Sequence, residues 1–208
     1  QFYHKATEWW QGELDRLGVA VRCGQVATAE GILAEAPDAV IVATGATVPR
    51  ELEISGRELS GIMPAMDYLV ASNRVQAGTL ESTPFDAAGK HVVVIGGGDT
   101  GADCVGTAHR QGARSVTNLA IGRKPSETRT DAQPWPVHPT LYEVSSSHEE
   151  GGERKYLAST VEFVADESGA TVRGLYIAET GFTENGREPI PGTEHLIEAD
   201  LVLIAMGF

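Results

Sequence analysis

The sequence predicts an α/β fold in which a parallel β-sheet is covered by helices and joined to an antiparallel β-meander. Continuous apolar segments at residues 39–43, 91–95 and 201–208 are typical of parallel strands that are covered on both faces. Helical patterns lie between these segments, as the connections of a parallel sheet require. Residues 158–204 instead contain short strand patterns separated by polar turns, which favours an antiparallel arrangement.

The first third of the chain combines helical and strand patterns. The apolar side chains of residues 2–17 follow the spacing of an amphipathic helix, and Gly18 is suited to end it. We expect a strand at residues 19–23 and a second strand at residues 39–43 that is buried on both faces. A short helix is expected at residues 63–71.

The strongest local pattern is a strand, a glycine-rich turn, a helix and a second strand. The first strand is expected at residues 91–95, and residues 96–101 (GGGDTG) form the turn. The helix follows over residues 102–111 and ends at Gly112, and the second strand spans residues 115–121. A segment of about thirty residues in this order forms one β-turn-α-β unit of a parallel sheet.

Residues 122–154 lack a regular pattern and contain four prolines. A long irregular segment inside a domain is usually functional or part of an interface, and Trp135 and Tyr142 are its expected anchors. The meander follows this segment. Its three strands are expected at residues 160–164, 171–178 and 195–197.

Composition and charge exclude several classes of partner. The chain has 208 residues, a formal net charge of −13 and a sequence pI of about 4.8. Nucleic acids and anionic membrane surfaces both require a cationic footprint, so we expect neither as a partner. No segment approaches the length of a membrane span, and no signal peptide opens the sequence.

The two cysteines, Cys23 and Cys104, exclude a metal centre built from this chain's thiolates alone. Structural zinc sites and iron–sulfur clusters need pairs or clusters of cysteines, and these two residues provide neither. We expect both to be small buried side chains in a protein of the reducing cytoplasm.

Gly96, Gly98 and Gly101 have the GxGxxG spacing of the Rossmann dinucleotide-binding fingerprint. Gly96 permits a tight exit from the strand, Gly98 lets a pyrophosphate approach the backbone, and Gly101 lets the helix pack closely on the sheet. The helix start offers free N–H groups and a partial positive charge to the phosphates. The flanking strands and helix make a dinucleotide the favoured ligand. The alternative is a tight turn that binds nothing.

Gly97, Asp99 and Thr100 complete the predicted cofactor-binding turn. Asp and Thr are residue types that commonly occupy the N-cap position of a helix. The hydroxyl of Thr100 can also donate a hydrogen bond to a phosphate. We therefore expect all of residues 96–101 to contribute to the site.

Arg123 and Lys124 favour NADP, although the sequence leaves NAD open. In NAD-binding proteins an acidic residue about twenty positions after the turn holds the ribose hydroxyls. Counting on from Gly101 leads to Ala120 and Ile121, which are not acidic, and the two cations follow directly. Such a pair is suited to a 2′-phosphate, but two solvated loop charges explain it nearly as well.

Motifs of other catalytic classes are missing from the sequence. It contains no GxSxG, HExxH or GxxxxGK[ST] segment. Adjacent residues do not share a helical face, so solvated or capping positions explain His148, Glu149 and Glu150 better than a metal site. We assign no acid–base role to any side chain.

Longer segments resemble flavoproteins that bind both FAD and a nicotinamide cofactor, the pyridine nucleotide-disulphide oxidoreductase superfamily. Residues 38–46 (DAVIVATGA) and 199–208 (ADLVLIAMGF) resemble the two strand ends between which such proteins insert their nicotinamide domain. Within this superfamily the sequence is most similar to the small subunit of glutamate synthase. The matching segments are residues 43–50, 65–69, 90–112, 134–136 (PWP), 145–152 (SSSHEEGG) and 205–208.

The resemblance implies an electron-input module. The small subunit takes a hydride from NADPH, or from NADH in some members, onto FAD. Electrons then pass through iron–sulfur clusters to the large subunit, where glutamine and 2-oxoglutarate become two glutamates. The large subunit is thus the implied partner, and FAD and the iron–sulfur clusters are implied for the full-length parent.

The resemblance also places two groups of three residues. The first group would lie near the junction of the FAD and nicotinamide domains, and the second would approach the nicotinamide end of the cofactor. These groups are Ala43, Thr44 and Gly45, and Ala205, Met206 and Gly207.

We expect residues 1–48 to belong to the FAD-domain side and residues 49–208 to form the NAD(P)-binding domain. The family's amino-terminal cysteine-rich region, its first FAD-binding glycine loop and the region beyond the second strand end are missing from the sequence. We therefore expect a fragment of a larger two-dinucleotide flavoprotein, which binds nicotinamide dinucleotide but is inactive alone.

Two alternative interpretations remain open. Residues 9–14 (WWQGEL) resemble flavin reductases of the dienoyl-CoA type about equally, so the chain is alternatively the NAD(P)-binding part of such a reductase. The other alternative is a non-catalytic interaction domain, in which the glycine turn is structural and residues 122–154 form the partner surface.

Overall fold

The computed structural model describes residues 2–184 and 186–208, without the side chains of residues 2–4. The start of the predicted amphipathic face therefore lies outside the described side chains. The chain divides into two compact units, Gln1–Gly45 and Ala46–Phe208, which are described separately below.

The described residues of the first unit contain two helices, α1 (Phe2–Arg16) and α2 (Ala29–Ala34). Helix α1 ends as predicted, because Gly18 adopts a positive φ of 67° and its N–H donates to the carbonyl oxygen of Asp15 at 3.1 Å. Helix α2 was not predicted. It begins after Thr28, whose hydroxyl oxygen accepts a hydrogen bond from the N–H of Gly31 at 3.1 Å.

The strands expected at residues 19–23 and 39–43 are wrong, since the structure places both segments outside any strand. The second segment is also not buried: Ile41 is 90% exposed and Val42 is 80% exposed. A strand exists only where its backbone groups pair with a neighbour. Among the described residues neither segment has such a neighbour, so apolarity alone did not produce a strand.

The second unit contains nine strands among its described residues, numbered here in chain order. Five of them form a parallel sheet in the order β1-β9-β2-β3-β4. The strands are β1 (Ile62–Pro64), β2 (His91–Ile95), β3 (Ser115–Ala120), β4 (Glu153–Tyr156), β5 (Ala158–Ala165), β6 (Val172–Thr183), β7 (Gly186–Pro189), β8 (His195–Glu198) and β9 (Leu201–Ile204).

Strand β2 is covered on both faces, as its continuous apolar sequence predicted. Val92 and Val94 belong to the core cluster that contains Tyr68 on the helical side of the sheet. Val93 and Ile95 belong to the opposite cluster, which lies between the parallel and antiparallel sheets. The alternation follows from the period of two residues along a strand.

Helices α3 (Ala65–Gln76) and α4 (Asp99–Arg110) pack on the helical side, and α5 (Ser146–Glu149) packs on α4. Helix α3 starts two residues later than expected because residues 62–64 pair with β9 as strand β1. Helix α4 starts three residues earlier than expected, at Asp99. The glycine turn is therefore tighter than its sequence suggested.

The antiparallel meander is confirmed. Strand β6 pairs with β5 on one edge. On its other edge it pairs first with β8 and then, near its end, with β7. Strand β7 was not predicted, and it forms a hairpin with the end of β6. Together the two sheets and the helices confirm the predicted α/β fold class.

The irregular segment that precedes the meander contributes one of its two predicted anchors. Tyr142 contacts cations, with the ammonium of Lys124 at 4.1 Å from the ring centroid and the guanidinium carbon of Arg154 at 5.3 Å. Trp135 is 83% exposed, so its predicted anchoring role is wrong.

The two cysteines have different surroundings. Cys104 is buried in α4, and burial raises the pKa of its thiol to about 12, with a further contribution from Asp103. Cys23 is exposed, so the expectation that it is buried is wrong. Among the described residues, no helix is long and apolar enough to cross a membrane.

Candidate functional site

The glycine turn joins β2 to α4 where the parallel strands end. The N–H of Gly96 donates to the carbonyl oxygen of Leu119 at 2.8 Å, which continues the ladder between β2 and β3. The side-chain amide of Asn118 donates to the carbonyl oxygens of Val94 at 3.2 Å and Gly96 at 2.7 Å. Asn118 is 2% exposed, and its two hydrogen bonds connect β3 to the end of β2 and to the turn. The sequence analysis did not identify this role.

The first and last glycines of the motif are required by the protein's own packing. A Cβ atom at Gly96 would collide with the carbonyl oxygen of Ala205, and the φ of Gly96 is +132°. A Cβ atom at Gly101 would collide with the carbonyl oxygen of Gly96. These contacts confirm the tight strand exit and the close helix packing that the motif predicts.

Gly98 differs from the other two glycines of the motif, Gly96 and Gly101. Its φ of −90° and ψ of −172° are open to any residue. A Cβ atom at Gly98 would have no atom of the protein within 4 Å. Nothing in the described chain therefore requires glycine at this position, and the open space faces the cavity described next.

A cavity of about 1060 Å³ opens at the ends of β2, β3 and β9. Its volume is at the upper end of the range for small-molecule sites. Residues 96–100 of the turn form one wall, residues 119–122 at the end of β3 form another, and residues 205–207 after β9 form a third. The remaining wall residues are Arg50, Glu51, Leu52, Ile95, Ala158, Ser159, Thr160, Arg187 and Pro189.

The start of α4 presents uncapped backbone N–H groups beside this cavity. The first N–H groups of a helix lack intrahelical acceptors, and no side chain caps α4. The expectation that Asp99 or Thr100 is the N-cap is wrong, because Gly98 occupies that position and Asp99 begins the helix. An anion at this point would meet N–H donors and the positive end of the helix dipole.

The residues that follow β9 are held next to the turn by backbone hydrogen bonds. The N–H of Ala205 donates to the carbonyl oxygen of Ile95 at 2.7 Å, and the N–H of Arg50 donates to the carbonyl oxygen of Gly207 at 2.9 Å. The structure therefore brings the predicted residues 205–207 together with the glycine turn.

Other predicted site residues lie outside the walls of this cavity. Ala43, Thr44 and Gly45 belong to the first unit and are exposed. Arg123 places its guanidinium carbon 4.8 Å from the ring centroid of Phe182, and Lys124 contacts Tyr142 and Glu127. Their roles in cofactor binding stay predictions.

The antiparallel sheet contributes wall residues that no sequence signal identified. Ser159 and Thr160 of β5 and Arg187 of β7 line the cavity. Thr160 has a buried hydroxyl oxygen without a hydrogen-bond partner among the described residues, whereas Ser159 is bonded to the hydroxyl of Thr180 at 2.8 Å. Thr160 therefore lines the cavity, but its hydroxyl oxygen is buried.

The charged wall residues are Arg50, Glu51, Asp99 and Arg187. Arg57 donates to both carboxylate oxygens of Glu51 at 2.7 Å, and these hydrogen bonds hold the pKa of Glu51 below its usual range. The side chains of Arg50 and Arg187 have no hydrogen bond or ion pair among the described residues. Two guanidinium groups and the carboxylate of Asp99 on the cavity walls therefore remain without a side-chain partner in the described part of the chain, in a protein that is strongly acidic overall.

Residues 145–152 (SSSHEEGG) pack on α4 and have a structural role. Ser147 packs on Gly106, where a Cβ atom would come within 3.0 Å of the serine side chain. Glu150 forms an ion pair with Arg110, and Gly151 packs on the ring of His109. No cluster of three or more potential metal ligands occurs among the described residues.

Comparisons with known proteins identify the family. The pyridine nucleotide-disulphide oxidoreductase family matches residues 13–208. The glutamate synthase (NADPH) small chain of Mycobacterium tuberculosis (strain CDC 1551 / Oshkosh) is 47% identical over 176 residues, which are 82% of this chain and 36% of that relative. The corresponding small chain of Bacillus subtilis (strain 168) is 39% identical over 189 residues, 85% of this chain and 38% of that relative.

The chain thus spans little more than a third of the length of these relatives. Among solved structures, Mycobacterium tuberculosis FprA in complex with NADPH has a TM-score of 0.53 and 18% identity over 86% of this chain and 52% of that chain. This likeness shows the fold alone. Because the family match covers most of the sequence, the protein belongs to the pyridine nucleotide-disulphide oxidoreductase family.

Proposed function

We propose that the chain binds a nicotinamide dinucleotide in the cavity beside the glycine turn, as the electron-input part of a glutamate synthase small subunit. The family match and the 47% identity to such a subunit support this proposal. The single observation that carries it is Gly98, a glycine that no contact and no backbone angle of the described chain requires, at a helix start that borders the cavity.

The wall residues fit the cofactor from the pyrophosphate outward. The backbone N–H groups at residues 97–100 would hold the pyrophosphate, which needs the space that a Cβ atom at Gly98 would fill. Gly97 faces Ala120, where a Cβ atom would come within 2.9 Å, so it keeps the turn close to β3.

The two ends of the cofactor would lie along the ends of the neighbouring strands. Residues 205–207 would border the nicotinamide, and the end of β3 would border the adenosine ribose. The chemistry that the bound cofactor supplies is hydride donation to FAD. Arg123 and Lys124 follow β3 and favour NADPH over NADH in this proposal.

The rest of the parent protein supplies what this chain lacks. We place FAD, the iron–sulfur clusters and the contact with the large subunit in the parent, which makes glutamate from glutamine and 2-oxoglutarate in the cytoplasm. Residues 1–48 would belong to the FAD-domain side, with Ala43, Thr44 and Gly45 near the domain junction. Residues 49–208 would form the NAD(P)-binding domain.

A purely structural glycine turn explains less of the site. It accounts for Gly96 and Gly101, whose Cβ atoms would collide with backbone, but not for Gly98. The interaction-domain interpretation is therefore the weaker one. The dienoyl-CoA reductase interpretation shares this site and differs only in the parent.

Calorimetric titration of the chain with NADPH, NADH and FAD tests the proposal. We expect the wild-type chain to bind NADPH, and we expect Gly98→Ala to weaken that binding by about tenfold or more, because the new methyl group occupies the pyrophosphate's approach. Gly12→Ala is the matched control. Gly12 also has open space at its Cβ position and an ordinary φ, but it belongs to α1 of the first unit and is not among the residues that line the cavity.

Two results would contradict the proposal. The first is a folded wild-type chain that binds neither NADPH nor NADH. The second is a Gly98→Ala chain that binds as tightly as the Gly12→Ala control, because the space at Gly98 would then have no role in binding.

A further inference from the structure

The hairpin of β6 and β7 places Arg187 in one wall of the cavity. The glycine motif does not predict a cation at this position. The hairpin pairs Phe182 directly with Arg187, and its other register pairs include Thr183 with Gly186. Directly opposed residues of an antiparallel pair project their side chains from the same face. Arg187 and Phe182 are therefore side-by-side neighbours.

Phe182 also links the hairpin to the segment that follows β3. The guanidinium carbon of Arg123 lies 4.8 Å from the ring centroid of Phe182, a cation–π contact. Phe182 thus contacts Arg123 through its ring and is paired with Arg187 through the backbone of the hairpin. Arg123 comes three residues after β3 ends at Ala120.

Arg187 shares the cavity with the end of β3. Ala120, Ile121 and Gly122 line the same cavity as Arg187. In a Rossmann unit, the end of this second strand is where the ribose of the adenosine half is recognised. Because Phe182, the hairpin partner of Arg187, contacts Arg123 just after this strand, we assign Arg187 to the adenosine side of the cavity.

The charge of Arg187 is unused within the described chain. Its side chain forms no hydrogen bond or ion pair with another described residue, whereas the wall carboxylate of Glu51 is already paired with Arg57. A guanidinium group is always charged and presents a planar fork of donors that matches the geometry of a phosphate. The pyrophosphate already has backbone donors at the helix start, so a different anion is the better match for Arg187.

We infer that Arg187 binds the 2′-phosphate of NADPH and is a determinant of the preference for NADPH over NADH. This inference rests on the proposed function, because it requires a dinucleotide in the cavity. It adds a residue from the antiparallel sheet to the cation pair that the sequence analysis placed after β3. The hairpin then acts as a side wall for the adenosine half of the cofactor.

Separate titrations of the chain with NADPH and NADH test this inference. We expect Arg187→Ala to weaken NADPH binding by about tenfold and to change NADH binding by less than about twofold, since only NADPH offers the phosphate. Arg187→Lys keeps the charge but loses the fork of donors, so we expect an intermediate affinity for NADPH. Arg173→Ala is the matched control, because Arg173 is also an exposed arginine of the same sheet but does not line the cavity.

The outcomes separate this inference from the proposed function. If the wild-type chain binds both cofactors and Arg187→Ala leaves the ratio of their dissociation constants unchanged, Arg187 is not the determinant, while the proposed function stands. A wild-type chain that binds only NADH has the same meaning. A folded wild-type chain that binds neither cofactor overturns the inference together with the proposed function.

Discussion

The glycines in and around helix α4 have two kinds of explanation. Along its carboxyl-terminal half, Gly106 makes room for Ser147, and Gly151 lies against the ring of His109, so the protein's own packing accounts for each glycine. At the amino-terminal end, Gly96 and Gly101 are likewise required by nearby backbone atoms. Gly98 alone in that turn combines an ordinary conformation with open space at its Cβ position.

This difference teaches how to separate structural from binding glycines. A structural glycine is explained by an atom that the chain itself supplies or by a positive φ. A binding glycine is explained only when a molecule from outside occupies the space. The comparison predicts that substitutions at the two classes change different quantities, either the free energy of unfolding or the affinity for a ligand.

The largest effect on stability is expected at Gly101. Gly101→Ala would place a Cβ atom against the carbonyl oxygen of Gly96, and backbone at this point cannot yield without disturbing β2 and α4. We expect the free energy of unfolding to fall by about 3 kcal/mol. Denaturant unfolding followed by circular dichroism measures this change. A loss below about 1 kcal/mol would show that the turn is not as tightly packed as described.

A smaller effect is expected at Gly106. Gly106→Val would push Ser147 away from α4 and loosen α5, but a short helix can move more easily than the turn backbone. We expect a loss of about 1–2 kcal/mol. Faster amide hydrogen exchange in residues 146–149 would accompany it. Unchanged exchange there would indicate that α5 does not depend on the contact with Gly106.

Gly98→Ala is expected to leave the fold intact. Its backbone conformation suits alanine, so the free energy of unfolding should change by no more than about 1 kcal/mol, the usual difference between N-cap residues. The same denaturant experiment applies. A loss comparable to that of Gly101→Ala would place Gly98 among the structural glycines and remove the distinction drawn above.

The smallest expected effect concerns the protonation of His148 in α5. Burial lowers the pKa of His148 from its ordinary 6.5, and the charge of Arg154 lowers it further. The stabilisation from neutral His148 is therefore complete above pH 6.5 and is lost as the pH falls through the lower pKa of the folded state. NMR titration of the imidazole should give a pKa below 6.5 that rises in Arg154→Gln, whereas a value at or above 6.5 would contradict this environment.

The sequence predicted the local part of the site well. Residues 91–121 contain their strand, turn, helix and second strand in immediate succession, and short-range patterns determine such a unit. The predicted start of α4 was three residues late, because Asp99 and Thr100 suggested a side-chain cap where Gly98 is the N-cap.

Two similar apolar segments show where sequence patterns fail. Residues 39–43 and 201–204 are both continuously apolar, and each segment is followed within three residues by a glycine. The second forms β9, since β1 and β2 supply hydrogen bonds on both of its edges. The first has no strand neighbour among the described residues and stays exposed. The pattern reports the capacity to form a strand, and pairing decides whether one forms.

The cavity-lining residues of the antiparallel sheet could not be predicted from the sequence. Thr160 and Arg187 reach the cavity through the register of β5, β6 and β7. A shift of one residue in that register would turn each side chain to the opposite face. Since pairing between distant segments determines register, no local pattern marked these residues.

The most direct test of the account is a crystal structure of the chain with NADPH. We predict that the diphosphate lies in the open space at Gly98, with its oxygens about 3 Å from the backbone N–H groups at the start of α4. Nucleotide bound elsewhere on the chain, or a well-ordered turn without nucleotide density at saturating NADPH, would contradict the account.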